Sequence, residues 1–239
     1  MINNTSKLKS RLKEKKVMFG TVDTWLLWKL SGERVWATDR ASASGTLMYD
    51  TFQNMWSSMI LSLVGIPMHI LPPIVDTSGQ IGVVDESIFG TEIPITGLVG
   101  DQQASLFGHC CFKPGDMKLT LGTGSFLNVN IGSKPLASIT GIYPLVAWDI
   151  KNSITFTAEA SSITVGTCID WLKSTGIIQD VSSTSDIAKS VPDTNGCYFV
   201  PAFAGLPVCA LFTSLLPPKQ NFLASFLSCL KYSNQKLFI

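Results

Sequence analysis

Two short segments of the 239-residue chain carry groups whose types and spacing suit chemistry. In Gly100-Asp101-Gln102-Gln103-Ala104-Ser105-Leu106-Phe107-Gly108, a carboxylate follows the apolar run Ile93–Val99 and opens a helical pattern. In open α/β sheets such a strand end faces the ligand crevice. A helix N-terminus stabilises negative charge, so Asp101 is placed to accept a proton from a bound hydroxyl. A plain N-cap role would use the same residue, and local spacing alone favours that simpler role. The second segment is Leu121-Gly122-Thr123-Gly124-Ser125. Two glycines at a hairpin tip let the backbone approach a ligand closely. Successive N–H groups there can form an anion nest, and Thr123 adds a hydroxyl. An ordinary tight turn explains these residues equally well. Leu127 stands where a dinucleotide fingerprint needs its third glycine, and no Gly-Lys-Ser/Thr follows, so the segment is neither that fingerprint nor a Walker A loop.

Other chemistries find little support. The six cysteines, Cys110, Cys111, Cys168, Cys197, Cys209 and Cys229, contain no Cys-x-x-Cys pair and read as reduced thiols of a cytosolic protein. With only His69 and His109, no His-built zinc site is expected, and no metal-ligating residue is assigned. Asp76-Thr77-Ser78-Gly79 is one residue out of register with an aspartic protease triplet and has no second copy. A formal charge of +1 leaves no footprint for nucleic acid. The basic run Lys7, Lys9, Arg11, Lys13, Lys15 and Lys16 reads as a solvated helix face rather than a binding patch, and no apolar segment follows it to make a secretory signal. Two uncharged stretches, Gln53–Val75 and Thr194–Pro218, are broken by prolines and are not expected to insert stably in a membrane.

The elements that must position these groups alternate in type. A helix is expected over Phe19–Leu30, capped by Asp23 or Thr24, then a strand over Arg34–Thr38. A second helix is expected over Asp50–Val64, its stripe of Trp56, Met59, Ile60, Leu63 and Val64 turned to a core and its end marked by Gly65 and Pro67. Pro72–Ser78 reads as extended, Gly79–Gly82 as a turn, Ile93–Val99 as a buried strand and Asp101–Gly108 as a helix. Met117–Ile131 reads as a hairpin, with Met117, Leu119, Leu121, Leu127, Val129 and Ile131 alternating with Lys118, Thr120, Asn128 and Asn130. A strand over Ile154–Ala158, a helix over Thr164–Ser174 with Val165, Ile169 and Leu172 on one side, a strand over Cys197–Ala202 and a short apolar helix over Phe222–Leu230 complete an α/β pattern.

The order of these segments resembles the FGGY carbohydrate kinases, in their glycerol kinase branch. The resemblance begins with Phe19-Gly20-Thr21-Val22-Asp23-Thr24-Trp25-Leu26-Leu27-Trp28-Lys29-Leu30 and Ala37-Thr38-Asp39. It continues through Gly65-Ile66-Pro67, Ile93-Pro94-Ile95, Gly100–Gly108, Leu121–Phe126 and Val200-Pro201-Ala202-Phe203-Ala204-Gly205-Leu206. Asp85–Gly90 and Tyr143-Pro144-Leu145 look most like a divergent animal paralogue. The resemblance implies an actin-like ATPase fold, of the ribonuclease H-like kind, with incomplete parts of two domains around a cleft. Residues 19–112 would belong to the first domain and 113–206 to the second, flanked by a basic leader over 1–18 and a divergent tail over 207–239. It implies transfer of the ATP γ-phosphate to a primary hydroxyl of glycerol, giving glycerol 3-phosphate, with Mg2+, in the cytoplasm. Asp101 would be the base, Gln102 would hold the polyol and Phe126 would pack against it. Thr123, Gly122 and Gly124 would contact ATP phosphates, and Gly166 would lie close to the nucleotide at a helix start. Asp170 would join them, at a position where the family often has an amide. The family's first phosphate hairpin and its polyol-clamping Arg-Glu pair do not occur in residues 1–18, and residues 207–239 resemble none of the family's second half. The expectation is a fragment inactive by itself. A noncatalytic binding or regulatory module and a membrane-associated fragment are the alternatives, and homo-oligomerisation stays open.

Overall fold

The structure, a computed structural model, describes residues 5–137, 142–162 and 164–196. These form two compact units: residues 5–116, 129–136 and 144–157 make the first, and residues 117–128, 137, 142–143, 158–162 and 164–196 the second.

The first unit opens with helices α1 (Ser6–Lys13) and α2 (Val22–Leu30). The latter starts later than its sequence pattern suggests, because the Phe19 N–H donates to the Ile70 carbonyl and keeps the entering chain extended. Neither expected cap serves. Thr21 occupies the cap position without a side-chain capping bond, its hydroxyl paired instead with that of buried Thr24 at 3.2 Å, and the Asp23 carboxylate accepts the Thr38 hydroxyl at 3.0 Å. Of the strand expected over 34–38 only Thr38 is paired, in β1 (Thr38–Asp39). Arg34 is turned back by its Nε bond to the Ser31 carbonyl.

After α3 (Arg40–Gly45), the helix expected from residue 50 gives way to a small antiparallel ribbon of β2 (Tyr49–Asp50) and β3 (Met55–Trp56). Asp50 forces the turn by accepting the N–H groups of Phe52 and Gln53. Helix α4 (Ser58–Val64) then starts on its Ser57 cap and stops at Gly65, whose φ of 69° needs glycine. Of the expected apolar stripe, Trp56 packs against a core, whereas Met59 and Leu63 are 76% and 85% exposed, and Leu61 is the buried anchor of α4.

Parallel β4 (Ile74–Val75) pairs with β1, setting Thr38 opposite Ile74. Strand β5 (Ser78–Val84) continues through the turn expected at residues 79–82, with a shift of its pairing register between Ser78 and Gly82. Gly82 serves close packing there, since a Cβ would come within 3.3 Å of Val35. A short α5 (Glu86–Phe89) leads to β6 (Ile93–Gly97), which pairs with β5 in a two-stranded ribbon. The expected buried strand is therefore largely exposed. Helix α6 (Asp101–Gly108) has the bounds expected from sequence.

A four-stranded sheet in the order β7–β8–β10–β9 supplies strands to both units: β7 (Met117–Leu121), β8 (Ser125–Gly132), β9 (Tyr143–Ile150) and β10 (Ser153–Ser162). Lys151 and Asn152, both with φ above 50°, make the two-residue reversal between β9 and β10. The expected hairpin is present with its faces inverted. Lys118, Asn128 and Asn130 are buried, while Met117 is exposed. Hydrogen bonds make this tolerable: Asn128 Nδ2 reaches Glu159 at 2.8 Å, and Asn130 Nδ2 reaches the Cys111 carbonyl at 2.9 Å. In the first unit Ala43, Tyr49, Val146 and Phe156 form one core, and Leu106, Cys111, Ala147 and Trp148 a second.

The second unit adds α7 (Gly166–Ser174), with Cys168 buried, and α8 (Thr184–Lys189). The strand expected over 197–202, the motif over 200–206, the helix over 222–230, the tail over 207–239 and three of the cysteines lie outside the described residues. Cys110 and Cys168 are free thiols, and the Cys111 thiol donates to the His109 carbonyl. Among the described residues, no helix is long and apolar enough to cross a membrane.

Candidate active site

In the first unit, the chain leaves β6 and enters α6 through Leu98, whose N–H donates to the Thr77 carbonyl at 3.0 Å. Gly100 holds the cap position in an extended conformation, so Asp101 is not the cap but the first helical residue. Its carboxylate is exposed and accepts only the adjacent Gln102 N–H, at 2.8 Å, among the bonds described for it. Ala104 closes the first turn on the Gly100 carbonyl, and buried Leu106 anchors the opposite side of the helix. Gln103, also buried, folds over Gly100; a Cβ there would lie 2.6 Å from Gln103 Oε1. Asp101 thus presents an accessible carboxylate on a fixed first turn.

Sequence reasoning missed the polar cluster behind this turn. Asp39, fully buried, caps α3 by accepting the Ala41 and Ser42 N–H groups, and it also accepts the Thr77 hydroxyl at 3.1 Å. The same hydroxyl oxygen accepts the Asp149 N–H at 2.9 Å, and the Thr77 N–H donates to the Asp149 carbonyl at 3.0 Å. Arg40 Nη1 lies 2.8 Å from both Asp76 Oδ1 and Asp149 Oδ2. Burial raises the pKa of Asp39 against the pull of its donors, and burial raises that of Asp149 against nearby Arg40. Tyr49 beside them is pushed up to about 12, chiefly by burial. Thr77 therefore joins the α3 cap, the end of β9 and the approach to Asp101. The sequence offered Asp39 only as part of the Ala37-Thr38-Asp39 motif, and Asp76-Thr77 only in an out-of-register triplet of a different chemistry.

In the second unit the structure brings Gly122, Thr123, Gly124 and Gly166 together. Gly122 N–H donates to Gly124 O at 2.8 Å and closes the hairpin tip. Gly166 N–H, at the start of α7, is shared between the carbonyls of Gly122 and Thr123, both at 3.0 Å, and Val165 N–H also reaches Thr123 O. Every described peptide is trans. In a trans peptide the C=O and the following N–H point in opposite directions. With both carbonyls converging on Gly166, the N–H groups of Thr123 and Gly124 are aimed away from α7, side by side. Thr123 is exposed, so the tip offers two backbone donors and a hydroxyl to an anion. Gly166 permits the approach: a Cβ would come 2.7 Å from Gly122 O and 3.2 Å from Thr123 Cα. Asp170 is exposed one turn along α7, and Phe126 is half-buried on β8. Asp101 and Gln102 belong to the first unit. Among the described residues, no three His, Cys, Asp or Glu side chains gather as a metal site.

Known proteins share this arrangement of segments. The N-terminal domain of the FGGY family of carbohydrate kinases matches residues 3–108, a stretch that begins ahead of the motifs read from residue 19. Glycerol kinase 5 of Danio rerio is 42% identical over 246 residues, covering 99% of this chain and 46% of that protein. Glycerol kinase 2 of Thermotoga maritima is 41% identical over 207 residues, covering 86% of this chain and 42% of that protein. The chain thus spans about half the length of the relatives it matches. The structure of Plasmodium falciparum glycerol kinase with ADP superposes with a TM-score of 0.78 at 32% identity, over 85% of this chain and 41% of that one. A kinase structure from Brucella ovis, at 16% identity and a TM-score of 0.73, shares the fold alone. The fold is that of the actin-like ATPases, in part, and the chain belongs to the FGGY family of carbohydrate kinases.

Proposed function

We propose that this chain carries the proton acceptor and the phosphate-binding hairpin of an ATP-dependent glycerol kinase. The observation that carries this reading is the hairpin tip, whose carbonyls are both engaged by Gly166 so that two adjacent N–H donors are left for an anion. ATP would supply the transferred phosphoryl group, and Mg2+, held mainly by the phosphates, would offset their charge. Thr123 and the N–H groups of Thr123 and Gly124 would gather phosphate oxygens, with Gly122 and Gly166 leaving room for them. Asp170 would contact the nucleotide from α7. Asp101 would take the proton from a primary hydroxyl of glycerol, Gln102 would hold the polyol, and Phe126 would pack against its carbon chain. Residues 19–112 and 113–206 are read as portions of the two domains, between a basic leader and a divergent tail. The cytosol is the proposed compartment, on the cysteine usage of the sequence.

By itself the chain is proposed to be inactive, because its relatives are about twice as long and positioning dominates phosphoryl transfer. Nucleotide binding tests the proposal independently of turnover. Titration of the 239-residue chain with MgADP, followed by calorimetry, should give saturable binding that Gly166→Ala weakens at least about tenfold, the effect of one close steric contact at a positioning residue. Equal affinity of both proteins for MgADP would remove the hairpin from the site. Binding that glycerol never converts to turnover, even when the rest of a kinase is supplied, would indicate a noncatalytic module.

A further inference from the structure

We propose that the N-terminal part of the first unit docks reversibly on anionic membrane surfaces, through the basic helix α1 and the exposed apolar stripe that follows it. Residues 5–16 hold six cations and one carboxylate, a balance of +5 in a chain whose total is +1, so the remaining residues carry −4. Glu14 pairs with Lys16 at 3.1 Å. Among the described residues, Lys7, Lys9, Arg11, Lys13 and Lys15 have no carboxylate partner. Their arrangement on α1 follows from helical spacing. Lys7 and Arg11 share one flank and Lys9 and Lys13 the other, with half-buried Leu8 and Leu12 between them. Cations thus flank the leucines on both sides of the helix, and Ser6, Ser10 and Glu14 fill the face opposite the leucines.

Charge alone would leave this a solvated face, as the sequence suggested. The apolar residues that follow change the reading. Met18, two residues beyond Lys16, is exposed, and on α2 so are Val22 at 75%, Trp25 at 57% and Leu26. Val22, Trp25 and Leu26 stand at i, i+3 and i+4, opposite the buried Thr24 and Leu27. The bond from Phe19 N–H to the Ile70 carbonyl brings in the neighbourhood of exposed Met68. A basic helix followed within a few residues by an exposed stripe that includes tryptophan has the composition of a segment that rests in the headgroup layer. The cations would meet lipid phosphates and carboxylates, while Trp25 and its neighbours enter the boundary region. A nucleic acid would use the cations and leave the apolar stripe in water. Lipid is therefore favoured. The attachment is peripheral, since no described helix is long enough to span.

Flotation of the full chain with vesicles separates bound protein from aggregates, which do not float. Vesicles of phosphatidylcholine with about one third phosphatidylserine should carry the chain at about 0.1 M salt and release it at about 0.5 M. Pure phosphatidylcholine should not carry it. The variant with Lys7→Gln, Lys9→Gln, Arg11→Gln and Lys13→Gln should bind anionic vesicles at least about tenfold more weakly, each cation being worth up to about fivefold. Trp25→Ser should also release the chain, and thermal melts of both variants should match the parent. Equal flotation on neutral vesicles, no flotation at all, or anionic binding unchanged in the four-glutamine variant would overturn the proposal. So would an oligonucleotide bound more tightly than the anionic vesicles, or concentration-dependent self-association through Trp25 without vesicle binding.

Discussion

Asp101 gains its chemical character from what it does not do. Gly100 takes the cap position, so the carboxylate keeps free lone pairs at the mouth of α6. Its place at a helix start was legible in sequence from one local pattern, an apolar run followed by Gly-Asp, although that pattern favoured a cap role that the structure gives to Gly100. The Asp39–Arg40–Thr77–Asp149 cluster was not legible, since its members come from separate segments and only folding assembles them. Two predictions belong to this cluster. Arg40→Ala leaves Asp149 buried without its cation and should destabilise the protein by about 3 kcal/mol, read from denaturant midpoints. Carboxyls whose folded pKa is raised contribute stability below their unfolded pKa that is lost as pH rises through the folded one. Asp149 is raised by burial, so the parent should lose stability relative to Asp149→Asn as pH rises through the raised value. Thermal melts across that range check this, and a parent that gains on the variant would contradict the burial argument.

At the scale of elements, the hairpin of β7 and β8 and the helix α6 were readable because their periodicities are local. The hairpin's inverted faces were not, because burial of Asn128 and Asn130 depends on acceptors at Glu159 and Cys111, far along the chain. Strand β9 escaped notice for another reason. Most of its residues are buried regardless of which way they point, so alternation is erased. The false helix over residues 50–57 arose from apolar residues that fall at helical spacing by chance, where the Asp50 turn decides the conformation. Glycines separate positioning from filler at this scale. Gly166→Ala forces a Cβ against the backbone of the hairpin tip and should cost roughly 1–3 kcal/mol as well as nucleotide affinity. Gly108→Ala, near the end of α6 with open space around it, should stabilise by about 0.5–1 kcal/mol. Parallel urea denaturations of the two variants distinguish these outcomes, and equal effects would mean that the contact at Gly166 relaxes freely.

For the molecule as a whole, family membership rests on a chain matched along nearly its full length by relatives about twice as long. The glycerol kinase reaction is therefore best tested where the remaining residues are supplied. The host is the Thermotoga maritima relative, with the segment it shares with this chain replaced by the corresponding residues of this chain. The measurement is glycerol-dependent ADP release by that chimera, with Asp101 intact and with Asp101→Asn. Loss of a general base typically lowers turnover by about 10²–10⁴. The account predicts turnover with Asp101 and a fall of that size with asparagine, MgADP affinity being retained. A fall of less than about tenfold, with the chimera folded and binding nucleotide, would contradict the assignment of Asp101 as the base.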